Sequence, residues 1–517
     1  MSQNQKNESI DEIKILESGF GKFIAVQFIV VWVSLFIPVI LAYFILVYFP
    51  ILLQFPYFFL LIPIGIGLFF LTLFTSLLVA VLALNWCNRK FPPREGSFDI
   101  DLNVSDTRGW MYRRNIKAFT IRLFGLVPIN ALKLLMLRAF GLKIGKNVKL
   151  YGMVVDDPFI EIGNNFILSK RAVIAGHLYD HYKLTFHKTI IGNNVIIEPV
   201  AGAVGAVLGD NVIIRKGCGA LRGQRTRGDG IFEGVPMRRV GRVSDLSPDE
   251  FKKIKESVIA FSKRDLDKEK IAPIKISYLK LNLCKLLIIL VGSSAAIGIG
   301  ILFYYTIIAP LYFGMGGFIG RVLALCFMPI FILIMIAFFL TFSVITTKLL
   351  ITSVPEGTYE LDSQEARTWK FSYLLKKFCI RLVDATIFDV ADVFVLQFFG
   401  NKIGKNVILK EGIVDPEYLE IGDYVNISAL SRVHTHNIIE GKLVLKGVKI
   451  GNNVILGGVS HLDVGCEVGA GTLLGIATYC KPNEKLKPNS LYIGNPPAKL
   501  PKELLKKMWI EPKKEEL

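Results

Sequence analysis

The sequence predicts a mixed membrane protein in which one structural unit occurs twice in tandem. Each unit combines a transmembrane α-hairpin, an interfacial amphipathic helix and a parallel β-helix. Three observations predict this fold class: two long apolar blocks with almost no charge, turns that recur with a regular spacing, and a constant shift that aligns the two halves. A period of about six residues suits triangular coils that stack on one another, because only small or turn-forming residues fit the corners.

The two apolar blocks predict four transmembrane helices arranged as two hairpins. The block between Lys22 and Arg89 contains no charged residue, and Pro50 and Pro56 lie near its middle. The block from Lys285 to Lys348 contains a single charge, Arg321, next to a GMGG sequence. Each block is long enough for two helices of about 20 residues joined by a tight turn.

The distribution of lysine and arginine predicts the orientation of these helices. The turns within the hairpins carry no Lys or Arg except Arg321, whereas several cations flank the opposite ends. Because cytoplasmic loops are enriched in Lys and Arg, we expect an integral cell-membrane protein with both termini and both β-helices in the cytoplasm. The polar N-terminal segment does not resemble a cleavable signal peptide. The seven cysteines form no CxxC pair, which fits reduced thiols in that compartment.

The net charge of +18 indicates contact with lipid headgroups rather than with nucleic acid, because many of the cations lie close to the predicted spans. Two stretches, Trp110 to Phe140 and Trp369 to Phe399, mix cations with aromatic and aliphatic residues. This mixture predicts amphipathic helices that lie in the membrane interface. A helix buried in the soluble region is the alternative.

The register between the halves is the strongest evidence for duplication. The sequence IGKNV begins at Ile144 and again at Ile403, and 403 minus 144 is 259. Chance does not hold one register over many anchors, so each unit is expected to repeat the other. The same shift relates Arg108 to Arg367, Trp110 to Trp369, Asp156 to Asp415, Glu161 to Glu420 and Ile191 to Ile450.

These features divide the chain into consecutive segments. Apolar residues at helical intervals predict a helix in the central linker. The Arg-rich stretch Leu221 to Gly230 is expected to interrupt the first coil. The segments are a polar N-terminal segment (1–21), transmembrane hairpin 1 (22–90), a Glu-Gly segment with interfacial helix (91–140), β-helix 1 (141–243), a charged linker (244–280), transmembrane hairpin 2 (281–350), a second Glu-Gly segment with interfacial helix (351–399), β-helix 2 (400–504) and a charged tail (505–517).

Two histidines occupy the same position in the two units and are the candidate catalytic residues. His436 maps onto His177 (436 minus 259), whereas its neighbour His434 maps onto Ala175. An imidazole suits general-base catalysis near neutral pH, and a nearby carboxylate would orient the ring. The predicted carboxylates are Glu440 and Asp180, with Asp415 and Asp156 as alternatives from earlier coils.

A zinc site is the competing chemistry for these histidines. The first unit places His177, His181 and His187 close together in the sequence, but the second unit has only His434 and His436 nearby. Because a zinc site needs a fixed set of ligands, we expect no metal cofactor.

A second candidate site lies where each β-helix ends. The second β-helix ends in GNPPAK, which contains Asn495 and Lys499, and the first ends in GVPMRR, which contains Arg239. A cation beside such a turn could bind a phosphate of coenzyme A or of a phosphopantetheine arm. The same sequences could instead be caps that prevent pairing at the end of the coil.

The turn IGNNVILGG and the closing GNPPAKL resemble the left-handed β-helix, hexapeptide-repeat acyltransferases over Ile403 to Leu500, and more weakly over Ile144 to Val240. The whole unit, with its Glu-Gly and Arg-x-Trp segments, resembles the membrane-embedded terminal domains of the ε-poly-lysine-synthetase type of peptide synthetase. The resemblance implies a left-handed coil and a membrane-anchored acyltransferase. Such an enzyme would transfer an acyl or aminoacyl group from a coenzyme A or phosphopantetheine thioester to an amine or hydroxyl.

The resemblance also implies partners. In those synthetases adenylation and carrier domains precede this region and three modules are usual, whereas this chain contains two. A separate adenylation and carrier protein is therefore an implied partner, besides membrane lipid, a small-molecule acceptor and further copies of the chain. The alternative function is a catalytically inactive membrane scaffold or binding module that keeps the β-helix fold. A channel is disfavoured because the spans carry almost no polar residues.

Overall fold

A computed structural model describes residues 3–180, 183–263, 271, 273–314, 317–386, 391–409 and 412–500. The predicted charged tail (505–517) and His181 lie outside these residues. The α-helices in the described residues are α1 (Gln3–Tyr48), α2 (Leu61–Lys90), α3 (Ser105–Gly125), α4 (Asn130–Ala139), α5 (Pro248–Lys263), α6 (Tyr278–Phe303), α7 (Gly317–Leu350), α8 (Gln364–Asp384) and α9 (Ala391–Phe398).

Four helical stretches are long and apolar enough to cross a membrane, which confirms the predicted spans by length and composition. Short 3-10 turns at Pro50–Leu53 and Tyr57–Leu60 join α1 to α2, and π-helical turns at Tyr304–Ile308 and Pro310–Gly314 follow α6. The two hairpins are in contact, and Trp32 Nε1 in α1 donates to the Cys326 carbonyl in α7 at 3.0 Å. The stretches are Ala25–Ile45, Tyr57–Lys90, Tyr278–Gly314 and Ile319–Leu350.

Each predicted interfacial helix consists of two shorter helices. In the first unit α3 ends before Pro128, whose ring cannot continue an α-helix, and α4 begins at Asn130. In the second unit α8 and α9 replace the single predicted helix. The side chains of Trp369, Lys370 and Lys376 in α8 are almost fully buried. These helices therefore connect the membrane hairpins, against which α3 and α8 pack, to the β-helices.

The first β-helix consists of parallel sheets that the chain visits in turn, as in a triangular coil. The first face contains strands Lys143–Ile144, Ile160–Ile162, Thr189–Ile191 and Val207–Leu208. The second face contains Lys149–Leu150, Ile167–Leu168, Ile196–Ile197, Val212–Ile214 and Gly230–Glu233, and Arg238–Gly241 closes it in antiparallel orientation. The third face contains Met153–Val155, Val173–Ala175, Gly202–Val204 and Gly219–Ala220.

The second β-helix repeats this arrangement. Its first face contains Lys402–Ile403, Leu419–Ile421, Val448–Ile450, Glu467–Val468 and Lys485–Leu486. Its second face contains Asn426–Ile427, Ile455–Leu456, Leu473–Leu474 and Leu491–Ile493, closed by the antiparallel strand Ala498–Lys499. Its third face contains Ile413–Val414, Arg432–Val433, His461–Leu462 and Tyr479–Cys480. The handedness of the coils stays a prediction.

The corners explain the recurring IGNNV sequence. A Cβ atom on Gly163 would lie 2.6 Å from the Gly192 carbonyl oxygen of the next coil, so the corner has no room for a side chain. Asn165 and Asn194 adopt left-handed backbone conformations, with φ of 56° and 57°, which asparagine tolerates. The Asn165 side-chain Nδ2 donates to Asn194 Oδ1 at 2.9 Å, so the asparagine side chains form a ladder between coils.

The Arg-rich stretch does not interrupt the first coil, and that prediction is wrong. The Gly223 amide donates to the Gly205 carbonyl and the Thr226 amide to the Val207 carbonyl, both at 2.9 Å. Arg225 pairs in parallel with Val207. The arginine side chain at this position is exposed, so it points away from the coil interior and does not disturb the stacking.

An antiparallel hairpin that begins at the duplicated histidine projects from each β-helix. His177–Asp180 pairs with Lys183–Phe186 in the first unit, and His436–Ile439 pairs with Lys442–Leu445 in the second. The Glu-Gly segment adds a third strand in each unit, Gly96–Asp99 or Gly357–Glu360.

The glutamate of each Glu-Gly segment fixes the chain just after its hairpin. Glu95 accepts a hydrogen bond from the Lys188 amide at 3.1 Å, and Glu356 accepts one from the Gly447 amide at 2.9 Å. The role of these segments is therefore to hold the histidine-bearing hairpin against the coil.

The two β-helices pack against each other within the chain. The third face of the first is apolar and contacts Ala429, Val459 and Ile476 of the second. Ile476 packs over two glycines of the first β-helix. A Cβ atom added to Gly202 would lie 2.5 Å from Ile476 Cδ1, and one added to Gly219 would lie 3.0 Å from Ile476 Cγ2. The linker helix α5 covers the second face of the first β-helix.

Candidate active site

Both duplicated histidines contact an aspartate from the preceding coil. His436 Nδ1 lies 2.6 Å from Asp415 Oδ2, and the side chains of the two residues are 4% and 1% exposed. In the first unit His177 Nδ1 forms the equivalent hydrogen bond with Asp156 Oδ2. The same His–Asp pair, with partners 21 residues apart, therefore occurs in both units.

Coil stacking explains why residues so far apart in the sequence meet. The third-face strands that precede the two partners are paired, because Val414 lies opposite Val433 in the parallel sheet. The Asp415 amide donates to the Val433 carbonyl at 3.0 Å, which sets the aspartate beside the start of the hairpin. The Thr435 amide in turn donates to Asp415 Oδ2 at 2.9 Å. Hydrogen bonds from backbone amides thus position the Asp415 carboxylate in addition to its contacts with other side chains.

Aromatic residues from α3 and α8 form a wall beside each histidine. Trp110 Nε1 donates to Asp156 Oδ1 at 2.8 Å, and its ring centroid lies 5.1 Å from that of His177. In the second unit the Tyr373 hydroxyl donates to the equivalent oxygen of Asp415 at 3.0 Å. The Trp369 ring lies 4.9 Å from His436. Each carboxylate is therefore oriented through one oxygen by the helix and through the other by the histidine.

The electrostatic environment keeps both aspartates ionised. Burial alone would raise the pKa of Asp156, but the adjacent His177 and Lys117 and the hydrogen bond from Trp110 outweigh burial and lower the pKa to about 2. Burial likewise opposes ionisation of Asp415, and His436 and His434 together hold the pKa of that carboxyl well below its usual range. An ionised carboxylate accepts the Nδ1 proton, which makes Nε2 the basic nitrogen of each neutral ring.

The shifted pKa of Asp156 predicts acid sensitivity. Because folding lowers the pKa from 3.8 to about 2, the unfolded chain binds more protons between these values. The stabilisation, on the order of 2 kcal/mol, is present above about pH 5 and is lost as the pH falls towards about 2. In unfolding measurements between pH 7 and pH 3, D156N should lose less stability on acidification than the native chain. The exposed-site variant D99N is the control, and equal pH dependence in all three proteins would contradict the assignment.

In the second unit the structure places the alternative carboxylate Asp415, rather than Glu440, against the histidine, and in the first unit Asp156 makes this contact. Glu440 is exposed at the turn of its hairpin, with φ of 51°, and the contact to His436 comes from Asp415. Asp180 ends the strand that begins at His177, and its side chain lies outside the described residues. Proximity in sequence favoured Glu440 over Asp415 because the coil length that places Asp415 beside His436 is not visible in the spacing.

The histidine site of the second unit contains two groups whose sequence counterparts in the first unit are alanines, Ala175 and Ala118. His434 Nδ1 lies 3.4 Å from Asp415 Oδ2, and Lys377 Nζ lies 3.6 Å from Asp415 Oδ1. Alignment of the two halves ranked His434 below His436 because its counterpart is Ala175, and it gave neither Tyr373 nor Lys377 a role at the histidine site. The Arg-x-Trp segment was the available signal for the helical wall, since Trp110 and Trp369 mark its position in both units.

A cavity of about 160 Å³ lies between the two β-helices and reaches His177. The third face of the first β-helix and the second face of the second supply most of its apolar lining, including Val173, Leu473 and Ile476. Arg114 lines it beside Trp110, over whose ring its guanidinium lies at 5.7 Å. The first histidine therefore faces a largely apolar space that both units enclose.

The three predicted phosphate-binding residues lie on the closing turns of the coils. Asn495 and Lys499 are exposed, and the strand that contains Lys499 pairs with Leu491–Ile493. The Arg239 guanidinium donates to the carbonyls of Asp229 and Gly241. These contacts give Arg239 a structural role at the cap, whereas a role for any of the three in ligand binding stays a prediction.

Comparisons with known proteins give distant structural similarity. No protein-family model and no curated protein match the chain. A maltose O-acetyltransferase from Clostridium difficile 630 is 19% identical to it, with a TM-score of 0.24 over 28% of this chain and 91% of that chain. A hexapeptide-repeat acetyltransferase from Vibrio cholerae is 14% identical, with a TM-score of 0.22 over 25% and 89%. Its complex with acetyl coenzyme A is 15% identical, with a TM-score of 0.21 over 24% and 84%.

Proposed function

We propose that this chain is a membrane-anchored acyltransferase of the hexapeptide-repeat type, in which His436 and His177 act as general bases. The observation that carries the proposal is the buried hydrogen bond between histidine and aspartate, which recurs at one position in both units. A histidine that only filled space would not need an ionised partner held by two further donors. The arrangement has the parts that proton transfer by an imidazole requires.

The proposed reaction joins an acceptor amine or hydroxyl to an acyl or aminoacyl thioester. Nε2 of the histidine removes a proton from the acceptor as its nitrogen or oxygen attacks the thioester carbonyl carbon. The C–S bond then breaks, and the imidazolium returns the proton to the departing thiolate. Asp415 or Asp156 stabilises the imidazolium and holds the ring in the required tautomer. Every proton removed from the acceptor is thus accounted for on the thiol product.

The donor in this proposal is coenzyme A or a carrier-bound phosphopantetheine thioester. Lys499 and Asn495 are the proposed contacts for its phosphate, because both are exposed where the second coil closes, Asn495 in the turn and Lys499 in the strand that follows. Arg239 is the corresponding proposal in the first unit. A separate adenylation and carrier protein would supply the carrier-bound form, and a small molecule would be the acceptor.

The proposed location is the cytoplasmic face of the cell membrane. The four apolar helices anchor the chain, and the lysine and arginine distribution favours β-helices on the cytoplasmic side, where thioester donors are made. In this proposal α3 and α8, which pack on the hairpins and contact the aspartate of each site, link the two sites to the membrane anchor. An acceptor or product with a lipid portion would then reach the site from the bilayer.

The proposal is tested by transfer assays on the full chain in lipid nanodiscs. Radiolabelled acyl coenzyme A and aminoacyl-phosphopantetheine donors are each offered with a panel of amines and alcohols, and transfer is followed by release of free thiol and by labelled product. Turnover above that of empty nanodiscs is expected with at least one donor. The absence of thiol release with every donor and acceptor would favour the inactive scaffold instead.

A further inference from the structure

The histidine site of the second unit contains three side chains of the types that bind metal ions. Asp415, His434 and His436 each offer one ligand atom, and the three atoms lie within 4.8 Å of one another. All three residues are buried. Among the residues that the structure describes, the first unit has no such group, because Ala175 stands where the second unit has His434.

We propose that Asp415, His434 and His436 bind one divalent transition-metal ion of the zinc type. Two imidazole nitrogens and one carboxylate oxygen suit zinc, cobalt or nickel better than magnesium or calcium, which prefer oxygen ligands alone. Three protein ligands leave a coordination position for water or substrate. This departs from the sequence-based expectation of no metal, which counted histidines in each unit without the contribution of Asp415.

The separations of the two histidine nitrogens from Asp415 Oδ2 lie at or below the spacing of a tetrahedral site, and all three ligand atoms lie within 4.8 Å of one another. Zinc–ligand bonds of about 2.1 Å at tetrahedral angles place neighbouring ligand atoms about 3.4 Å apart. His434 Nδ1 and Asp415 Oδ2 already have this separation, at 3.4 Å. The hydrogen-bonded pair His436 and Asp415, at 2.6 Å, must separate by about 0.8 Å.

The carboxylate is held by groups that would remain when a metal binds. The Tyr373 hydroxyl donates to Asp415 Oδ1 at 3.0 Å, and the Thr435 amide donates to Oδ2 at 2.9 Å. Such outer contacts orient metal ligands and raise affinity. The ligands come from paired strands of the coil and from the start of the hairpin, so the backbone fixes their separation.

One nearby charge opposes cation binding. Lys377 Nζ lies 3.6 Å from Asp415 Oδ1, on the side of the carboxylate away from the histidines. Its repulsion of a cation lowers the affinity of the site, so removal of this charge should tighten binding. The effect of Lys377 therefore provides a test that differs in sign from the removal of a ligand.

Metal binding would also change the proposed catalytic pair of the second unit. A metal bound to His436 Nδ1 replaces the hydrogen bond with Asp415, so this histidine loses the partner that sets its tautomer. The first unit, in which Ala175 stands in place of His434, would keep its pair. This consequence rests on the proposed function, whereas the binding of the ion does not.

Metal binding is measured on the full chain in nanodiscs after treatment with a chelator. Titration with Zn²⁺ by calorimetry, and with Co²⁺ by visible absorption, should give one ion per chain. H434A and H434Q should each weaken binding by more than about 100-fold, since even outer-sphere changes cost 10- to 100-fold. K377Q should tighten it, and H177A should leave it unchanged. Unfolding temperatures of the variants establish that each remains folded.

The results separate the site from the function. Absence of stoichiometric binding, or binding in H434A and H434Q as tight as in the native chain, would overturn the metal site whether or not the chain is active. In H177A only the second unit keeps its histidine, and in H436A only the first. Zn²⁺ should therefore inhibit the transfer activity of H177A more strongly than that of H436A. Equal inhibition of the two variants would contradict the consequence for the second unit. Binding without any transfer activity would uphold the metal site and count against the proposed function alone.

Discussion

The double variant D156N/D415N should transfer acyl groups about 10²- to 10⁴-fold more slowly than the native chain. Asparagine keeps the size of each side chain but removes the charge that stabilises the imidazolium. It also allows the amide to present its NH₂ group to Nδ1, which favours the wrong tautomer. Because both aspartates are ionised in the folded chain, the loss should persist across neutral pH.

The control for this prediction is E440Q, which tests the carboxylate that lies nearest to His436 in sequence. Glu440 is exposed at the hairpin turn, so the rate of E440Q should stay close to the native rate. Initial rates with one thioester donor, at saturating acceptor, provide the comparison. A large loss in E440Q with little loss in D156N/D415N would transfer the orienting role from the aspartates to the glutamate.

The variant G202V should destabilise the contact between the β-helices by about 1–3 kcal/mol, the usual cost of overpacking. A Cβ atom at this position would already lie 2.5 Å from Ile476 Cδ1 and 3.1 Å from Val173 Cγ1. Valine adds two further methyl groups to that space. The first unit should lose more activity than the second, because Ile476 and Val173 also line the cavity at His177.

Rescue by I476A tests whether the cause is this contact. Removing the larger side chain makes room for the valine, so G202V/I476A should be more stable than the sum of the two single changes predicts. Unfolding temperatures of the four proteins in one detergent give the coupling. Additive effects would mean that the β-helices do not meet at Gly202 in solution.

The membrane spans and the stacked coil could be predicted from the sequence because each requires a recognisable pattern of residues. A span needs a long charge-free block, and each corner repeats the glycine and asparagine that the stacked backbones require, as at Gly163 and Asn165. Duplication then singled out His177 and His436 as candidate catalytic residues, since an accidental histidine has no reason to recur in register. These inferences depend on local or repeated features alone.

The partners of the histidines could not be predicted in the same way. The contact between His436 and Asp415 depends on the number of residues in one coil, and that number varies with each outward hairpin. Tyr373 and Lys377 come from a helix outside the coil, whose orientation no sequence period encodes. His434 was ranked low because it lacks a counterpart, although a feature that occurs in one unit alone can distinguish the two sites.

The packing between the β-helices was also beyond the sequence. Gly202 and Gly219 read as ordinary small residues until Ile476 of the other unit is placed over them. The Arg-rich stretch appeared to break the coil because its composition is unusual, yet its backbone continues the hydrogen bonding through Gly223 and Thr226. The backbone hydrogen bonds continue the coil there, and the side chains of Arg225 and Arg227 are exposed.

The most direct test of the account is the transfer rate of the double variant H177A/H436A in nanodiscs, compared with each single variant and the native chain. We expect the double variant to lose about 10²- to 10⁴-fold in thiol release while it keeps the native unfolding temperature within a few degrees. Each single variant should retain the activity of its intact unit. A folded double variant that transfers acyl groups at the native rate would contradict the assignment of the histidines as general bases.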